Sequence, residues 1–132
     1  MAKYCFPVVL TPDEGGYYAE FPDLEDCFTQ GNSLMEALEM SADVLGLTLT
    51  DMEDRGVPIP APSVMSAVHP EDQGAVVSLV MADTVEYRKR VSKSAVKKTL
   101  SIPQWLDTAA EAAGVNFSQT LQEALTAKLG LQ

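Results

Sequence analysis

The sequence has few basic residues and only two cysteines, and each scarcity excludes a class of protein. Nine lysines and arginines stand against nineteen acidic residues among 132, which gives a formal net charge of −10. This balance argues against a protein that simply coats nucleic acid or an anionic membrane. Cys5 and Cys27 are too few for a disulfide framework, and they indicate reduced thiols.

Long apolar runs are also missing. The sequence contains no stretch of about eighteen apolar residues, so no membrane-spanning helix is expected. It also lacks the basic segment followed by an apolar segment that is typical of an export signal. With 46% apolar residues, the chain can bury one ordinary core or two small ones. We therefore expect a cytoplasmic protein.

The charge that is present is divided unevenly along the chain. Residues 1–87 contain two basic and sixteen acidic residues, a net charge of −14. Residues 88–132 contain seven basic and three acidic residues, a net charge of +4. Such an asymmetry predicts two modules that face different partners.

The pattern of the first module predicts the element order β-β-β-α-β, in an α+β fold. Pro7 favours an edge position or a bulge for the first strand, because proline has no amide hydrogen to donate. Ser33 and Glu36 form a capping box that begins a helix, and Gly56 is a suitable end for it. The last strand is a short apolar run, which predicts a buried strand. The predicted strands cover residues 3–11, 17–21, 27–31 and 75–81.

The remainder of the chain predicts a joint and a small second module. Residues 84–95 are charged and weakly patterned, and they are assigned to the joint. Residues 96–132 predict a strand followed by two helices, with Pro103 at the start of the first helix and Ser118 as the cap of the second. A single copy of this module cannot bury its apolar faces, so we expect it to dimerise.

This second module resembles a ribbon-helix-helix domain, in its short strand, its proline, its two helices and its "VNFSQTL" loop. The resemblance implies that two chains pair their strands into a ribbon that enters the DNA major groove. Alternating positions Lys97, Thr99 and Ser101 would then face the bases, and the backbone amides around Asn116 and Ser118 would bind a phosphate. The open alternative is a solvated strand edge in a tail that only dimerises.

The first module resembles the HicB antitoxin family over roughly residues 1–85. The resemblance is carried by a Gly-Gly-Tyr turn, a Phe-Pro-Asp, a Thr-x-Gly before the helix, a Glu-Ala-Leu in its first turn, and an Ile-Pro-x-Pro-Ser exit. In this sequence those motifs lie at residues 15–17, 21–23, 29–31, 36–38 and 59–63.

The resemblance implies the antitoxin of a type II toxin–antitoxin pair, with a partial RNase H-like fold. Its partner would be HicA-like, a small basic toxin that cleaves mRNA with a histidine, and the tail would repress the shared operon at its operator DNA. An acidic module is complementary to a basic RNA-binding surface. The residues that we place at or near the toxin are Tyr17, Tyr18, Glu20, Asp23 and Glu25.

The sequence suggests two other interpretations. Clustered carboxylates hold divalent metals in RNase H-like nucleases, but here they lie mostly in turns, so we expect no enzyme, no metal and no cofactor. A stand-alone transcription regulator, with a first module that senses a ligand or a protein, remains the alternative function. In either case the tail makes at least a dimer, and the first modules could pair further into a tetramer.

Overall fold

The computed structural model describes residues 1–131 and divides into two compact units, Met1–Lys93 and a second unit that begins at Ser94. Among the described residues, no helix is long and apolar enough to cross a membrane. A short 3-10 turn, Met65–Ala67, lies between α1 and β4. The other elements are β1 Lys3–Asp13, β2 Gly16–Glu20, β3 Phe28–Gly31, α1 Leu34–Arg55, β4 Val76–Asp83, α2 Thr84–Val91, α3 Gln104–Ala112 and α4 Phe117–Leu129.

The first unit is an antiparallel sheet with one face covered by α1. The strand order is β3-β2-β1-β4. Phe6, Val8 and Leu10 of β1 are buried in one core cluster with Leu45 and Leu49 of α1. Because successive side chains of a strand point to opposite faces, these residues define the inner face of the sheet. The predicted α+β class is confirmed, with β-β-β-α-β followed by a further helix.

Helix α1 begins and ends where its sequence predicts. The Glu36 amide donates to the Ser33 hydroxyl (3.1 Å), and the Glu36 carboxylate accepts from the amide of Asn32 (3.0 Å). Gly56 ends the helix in the left-handed conformation, with a φ of 67°. Both devices satisfy backbone groups that a helix end would otherwise leave without partners.

Strand β1 is central, which corrects the edge position expected from Pro7. The Thr84 amide donates to the carbonyl of Ala2 (3.0 Å), and β1 continues against β4 in the same register. Hydrogen-bonded pairs of this ladder therefore fall on even-numbered residues, and the nitrogen of Pro7 faces away from β4. On that side the pairing with β2 starts only at Val9, so the missing amide hydrogen breaks no ladder bond.

Strand β4 is an edge strand, which corrects the buried strand expected from its apolar sequence. It pairs with β1 on one side and ends the strand order on the other. Of its residues only Val80 is buried, while Val76, Leu79 and Met81 are exposed. The apolar run does form the predicted strand, but burial depends on the strand order, which a single segment of sequence does not specify.

The segment assigned to a joint contains helix α2, which belongs to the first unit. The Asp83 carboxylate accepts from the amides of Val85 (3.0 Å) and Glu86 (3.2 Å) and so caps this helix. Arg88 then forms ion pairs with Glu53 (3.1 Å) and Asp54 (2.9 Å) at the end of α1. These tertiary contacts stabilise a helix whose own apolar pattern is weak.

The second unit has two helices and no buried residue in either of them. Helix α3 follows Pro103, and Gly114 adopts a φ of 70° just after its end. Asn116, not Ser118, caps α4, because its side chain accepts from the amide of Gln119 (3.0 Å). Residues 92–103 carry no strand in the described chain, since a strand needs a second strand with which to pair.

Candidate partner-binding and nucleic-acid surfaces

The β1–β2 hairpin sets which side chains share a face of the sheet. Asp13 pairs with Gly16, and the two residues between them have positive φ values, 43° at Glu14 and 85° at Gly15. A two-residue turn of this kind matches the twist of the paired strands. The register that follows places Val9 opposite Glu20 and Thr11 opposite Tyr18. These four residues lie on the outer face, opposite α1.

The outer face carries an aromatic pair beside a carboxylate. The rings of Tyr18 and Phe28 lie with their centroids 6.0 Å apart, and Phe28 stands opposite Glu20 in the β2–β3 ladder. Burial, and then the negative charge of Glu20, raise the pKa of Tyr18. Phe28 and Glu20 are exposed. An aromatic surface beside a carboxylate is suited to contact with a cationic partner surface.

Tyr17 lies on the other side of the sheet, since it neighbours Tyr18 in the strand. It is half-buried and packs against the core. Opposite it in β3 stands Gly31, where an added Cβ would collide with the backbone of Ala37 in α1. The Thr-x-Gly motif is thus explained by the close approach of β3 to the first turn of α1. Of the two tyrosines, only Tyr18 shares a face with Glu20.

Asp23 links the sheet to the proline-rich connection, which is residues 57–75 between α1 and β4. Its two carboxylate oxygens accept from the hydroxyl of Ser63 (2.6 Å) and from the amide of Ser63 (2.9 Å). The Phe-Pro-Asp and Ile-Pro-x-Pro-Ser motifs, forty residues apart, therefore form one contact. Glu25 lies in the following turn and is exposed. Asp23 thus has an internal partner in addition to the role at the toxin surface predicted for it.

The connection and the outer face of the sheet together line an open cavity. This cavity has a volume of about 510 Å³, and Val9, Thr11 and Glu20 form its floor. Its other wall includes His69, Glu71 and Asp72 from the connection. Three carboxylates therefore line one concave surface. Sequence reasoning missed Glu71 and Asp72, because nothing local indicates that the connection folds back over β1 and β2.

The basic residues near the joint do not form a free basic surface. Arg88, Lys89 and Arg90 lie in α2 and pair with carboxylates of the first unit, Arg90 with Asp43 at 3.0 Å. Counted by unit, the first contains six basic and sixteen acidic residues, and the second contains three of each. The positive tail expected from the sequence is therefore a neutral unit that carries two adjacent lysines, Lys97 and Lys98.

The predicted DNA-facing side chains are all exposed. Lys97, Thr99 and Ser101 lie in the segment before α3, and Ser118 lies in the first turn of α4. Asn116 uses its side chain to cap α4. Beside them is an open, mainly apolar cavity of about 660 Å³ within the second unit. Its apolar lining includes Leu100, Ile102, Leu106, Phe117 and Leu121.

The described residues offer no group of three histidine, cysteine or acidic side chains placed to hold a metal ion. Cys27 is buried, and that burial raises the pKa of its thiol although a hydrogen bond with Thr48 acts in the opposite direction. A buried thiol with a raised pKa is a poor nucleophile.

Comparison with known proteins gives consistent results. A family model described as a HicB-like antitoxin of bacterial toxin–antitoxin systems matches residues 6–125. The chain is 41% identical over 61 residues to Antitoxin HicB 1 of Photorhabdus laumondii, which is 43% of this chain and 39% of that relative. It is 31% identical over 97 residues to Antitoxin HicB 2 of the same organism, covering 72% of this chain and 68% of that relative. The first of these matches thus spans well under half of the relative's length.

Among solved structures, a chain of a toxin–antitoxin complex from Streptococcus pneumoniae has the same fold. The TM-score is 0.61 at 31% identity, and the match covers 96% of this chain and 99% of the other. The likeness therefore extends over both units.

Proposed function

Because the chain belongs to the HicB-like antitoxin family of bacterial toxin–antitoxin systems, we propose that it binds and occludes a small basic toxin of the HicA type. Antitoxins of this family are not enzymes; they neutralise a toxin. The observation that carries the proposal is the outer face of the first unit, where Tyr18, Glu20 and Phe28 adjoin the cavity lined by Glu71 and Asp72. The solved complex from Streptococcus pneumoniae supports a toxin as the kind of partner.

The charge of the first unit fits this partner. Sixteen acidic residues against six basic ones give that unit a strongly negative field. Such a field accelerates association with a basic protein and competes with RNA for the same surface. Half-buried Tyr18 and exposed Phe28 supply rigid contact area. The mechanism is stoichiometric occlusion of a toxin that cleaves mRNA.

The second unit is proposed to pair as a ribbon-helix-helix domain that binds operator DNA, and the first to have a partial RNase H-like topology. The element order β-β-β-α-β supports the latter. The ribbon-helix-helix proposal is supported by a lysine-bearing segment that has no strand partner within the described chain. Two helices follow it, and their apolar side chains surround an open cavity. Pairing two such segments would close the apolar face and place four lysines on one ribbon.

Co-expression with a small basic protein, if one is encoded in the gene adjoining that of this chain, tests the proposal. The neighbour alone should arrest growth, and this chain should restore growth and co-purify with the neighbour. If the neighbour is harmless and no complex forms, the toxin partner is excluded and a stand-alone regulator is favoured. Binding of the DNA upstream of the two genes, measured separately by fluorescence anisotropy, tests the second unit.

A further inference from the structure

The cavity over the outer face has two walls that come from different parts of the chain. Val9, Thr11 and Glu20 form its floor on the sheet, and residues 67–72 of the connection form the opposite side, here named the connection wall. The connection wall lies outside every strand. Its position over the sheet is therefore not set by the strand pairing that fixes the floor.

The connection wall is joined to the sheet at Ser63. In the described chain, the hydrogen bonds made within residues 64–75 are local and reach three residues at most. The hydroxyl and the amide of Ser63 donate to Asp23 in the turn after β2, at 2.6 and 2.9 Å. This contact divides the connection into two shorter spans. A loop held at an internal point samples fewer conformations than one held only at its ends.

Both walls carry carboxylates that have no cationic partner within the described chain. None of the ion pairs among the described residues involves Glu20, Glu71 or Asp72. A basic side chain that enters the cavity meets carboxylates on both sides only while the connection wall keeps its place. A wall that has to be ordered on binding reduces the affinity, because ordering a loop costs conformational entropy.

We propose that Asp23 and Ser63 are positioning residues for partner binding. Their two hydrogen bonds hold the connection wall across the cavity from Glu20, so that one lysine or arginine side chain of the basic partner is bound from both walls. This inference rests on the proposed function, because it concerns the same surface and the same partner. Asp23 then acts on the partner through Ser63, without touching it.

A positioning role differs from a purely stabilising role in one measurable respect. If the contact between Asp23 and Ser63 only stabilised the fold, its loss would lower the free energy of unfolding and leave the affinity of the folded chain unchanged. Under the positioning role, the affinity of the folded chain falls, and it falls because Glu71 and Asp72 are no longer held in place.

Titration calorimetry of the full chain with the small basic partner of the co-expression experiment tests the inference. Ser63→Ala removes the hydroxyl donor to Asp23 without changing the net charge, and it should weaken binding about tenfold. Ser66→Ala is the matched control, because Ser66 is exposed in the same connection, and its affinity should equal that of the wild type. Ser63→Thr keeps a hydroxyl and should restore most of the affinity. Circular dichroism checks that each variant is folded.

A double-mutant cycle with Glu71→Gln separates positioning from direct contact. Glu71→Gln should cost less affinity in the Ser63→Ala background than in the wild type, because the connection wall has already lost its place. Two results overturn the inference: wild-type affinity in folded Ser63→Ala, and a loss that is fully additive with the loss from Glu71→Gln. The additive result would make Ser63 itself a contact of the partner.

A measurement on the free chain tests the contact without the partner. Backbone amide relaxation, measured by nuclear magnetic resonance, should give lower order parameters for residues 64–75 in Ser63→Ala than in the wild type. Ser66→Ala should give wild-type values. Unchanged order parameters in Ser63→Ala overturn the inference whatever the calorimetry shows. A wild type that binds no basic partner overturns the proposed function and this role together, and the wild-type titration distinguishes that case from failure of the contact alone.

Discussion

Asp23 holds Ser63 through both of its carboxylate oxygens, at 2.6 Å to the hydroxyl and 2.9 Å to the amide. This contact closes the proline-rich connection over the outer face of the sheet. The cavity that contains Glu20, Glu71 and Asp72 therefore depends on a hydrogen-bonded pair at its rim.

Asp23→Ala should destabilise the first unit by roughly 1–3 kcal/mol, because two hydrogen bonds to a charged group are lost. Urea unfolding followed by circular dichroism measures this change. Glu25→Ala is the control, since Glu25 is exposed in the adjoining turn, and it should change stability by less than about 0.5 kcal/mol. Equal effects of the two substitutions would mean that the hydrogen bonds between Asp23 and Ser63 contribute nothing to stability.

Glu53 should make stability depend on pH in the acid range. Burial alone would raise the pKa of this carboxyl, but hydrogen bonds from the amino terminus, Arg88, Tyr4 and Thr84 outweigh burial and lower the pKa to about 2. Because the folded-state pKa is below the unfolded value, the stabilisation is complete above about pH 4.5 and is lost as the pH falls toward about 2.

Glu53→Gln should therefore cost roughly 2–4 kcal/mol at pH 7, and the difference from the wild type should shrink between pH 4.5 and 2. Asp51→Asn is the control: the Asp51 side chain is 59% exposed and pairs with Arg55 on the surface, so its effect should stay below about 1 kcal/mol. If the difference in unfolding free energy between Glu53→Gln and the wild type does not change with pH, the lowered pKa of Glu53 is not the source of the pH dependence.

Gly46 provides the space into which Tyr87 packs. A Cβ at this position would lie 2.6 Å from Cδ2 of Tyr87, so Gly46→Ala should loosen the docking of α2 on α1 and cost roughly 1–3 kcal/mol. In the background of Tyr87→Ala the same substitution should be neutral or stabilising by up to about 1 kcal/mol, because alanine is the better helix former. Additive effects of the two substitutions in thermal unfolding would show that the ring is not the obstacle.

Lys97→Ala should weaken binding to the upstream DNA about 10- to 100-fold if this side chain contacts base edges in both halves of a paired ribbon. Lys128→Ala is the matched control, because Lys128 is also exposed in the second unit but lies at the end of α4. Anisotropy titrations at a fixed salt concentration measure both affinities. Equal affinities for the two variants would remove Lys97 from the DNA surface.

The features that the sequence predicted correctly are local ones. The capping box of Ser33 and Glu36 and the stop at Gly56 depend on groups within one helical turn. Interactions of this kind involve only residues that are close in the sequence, so they can be predicted from a single sequence.

The features that were missed depend on distant parts of the chain. The contact of Asp23 with Ser63 spans forty residues, and the edge position of β4 depends on the order of four strands. Helix α2 was missed although Asp83, followed three residues later by Glu86, is a usable start signal. The strand predicted before Pro103 is not formed in the described single chain, and its pairing with a second copy stays a prediction.

The most direct test of the central claim is whether the outer face of the first unit holds the toxin. Glu20→Lys reverses a charge on that face, and Glu39→Lys reverses an exposed charge on α1, which covers the opposite face. Titration calorimetry with the purified small basic partner should give wild-type affinity for Glu39→Lys and at least a tenfold loss for Glu20→Lys. Wild-type affinity in both variants would contradict the account.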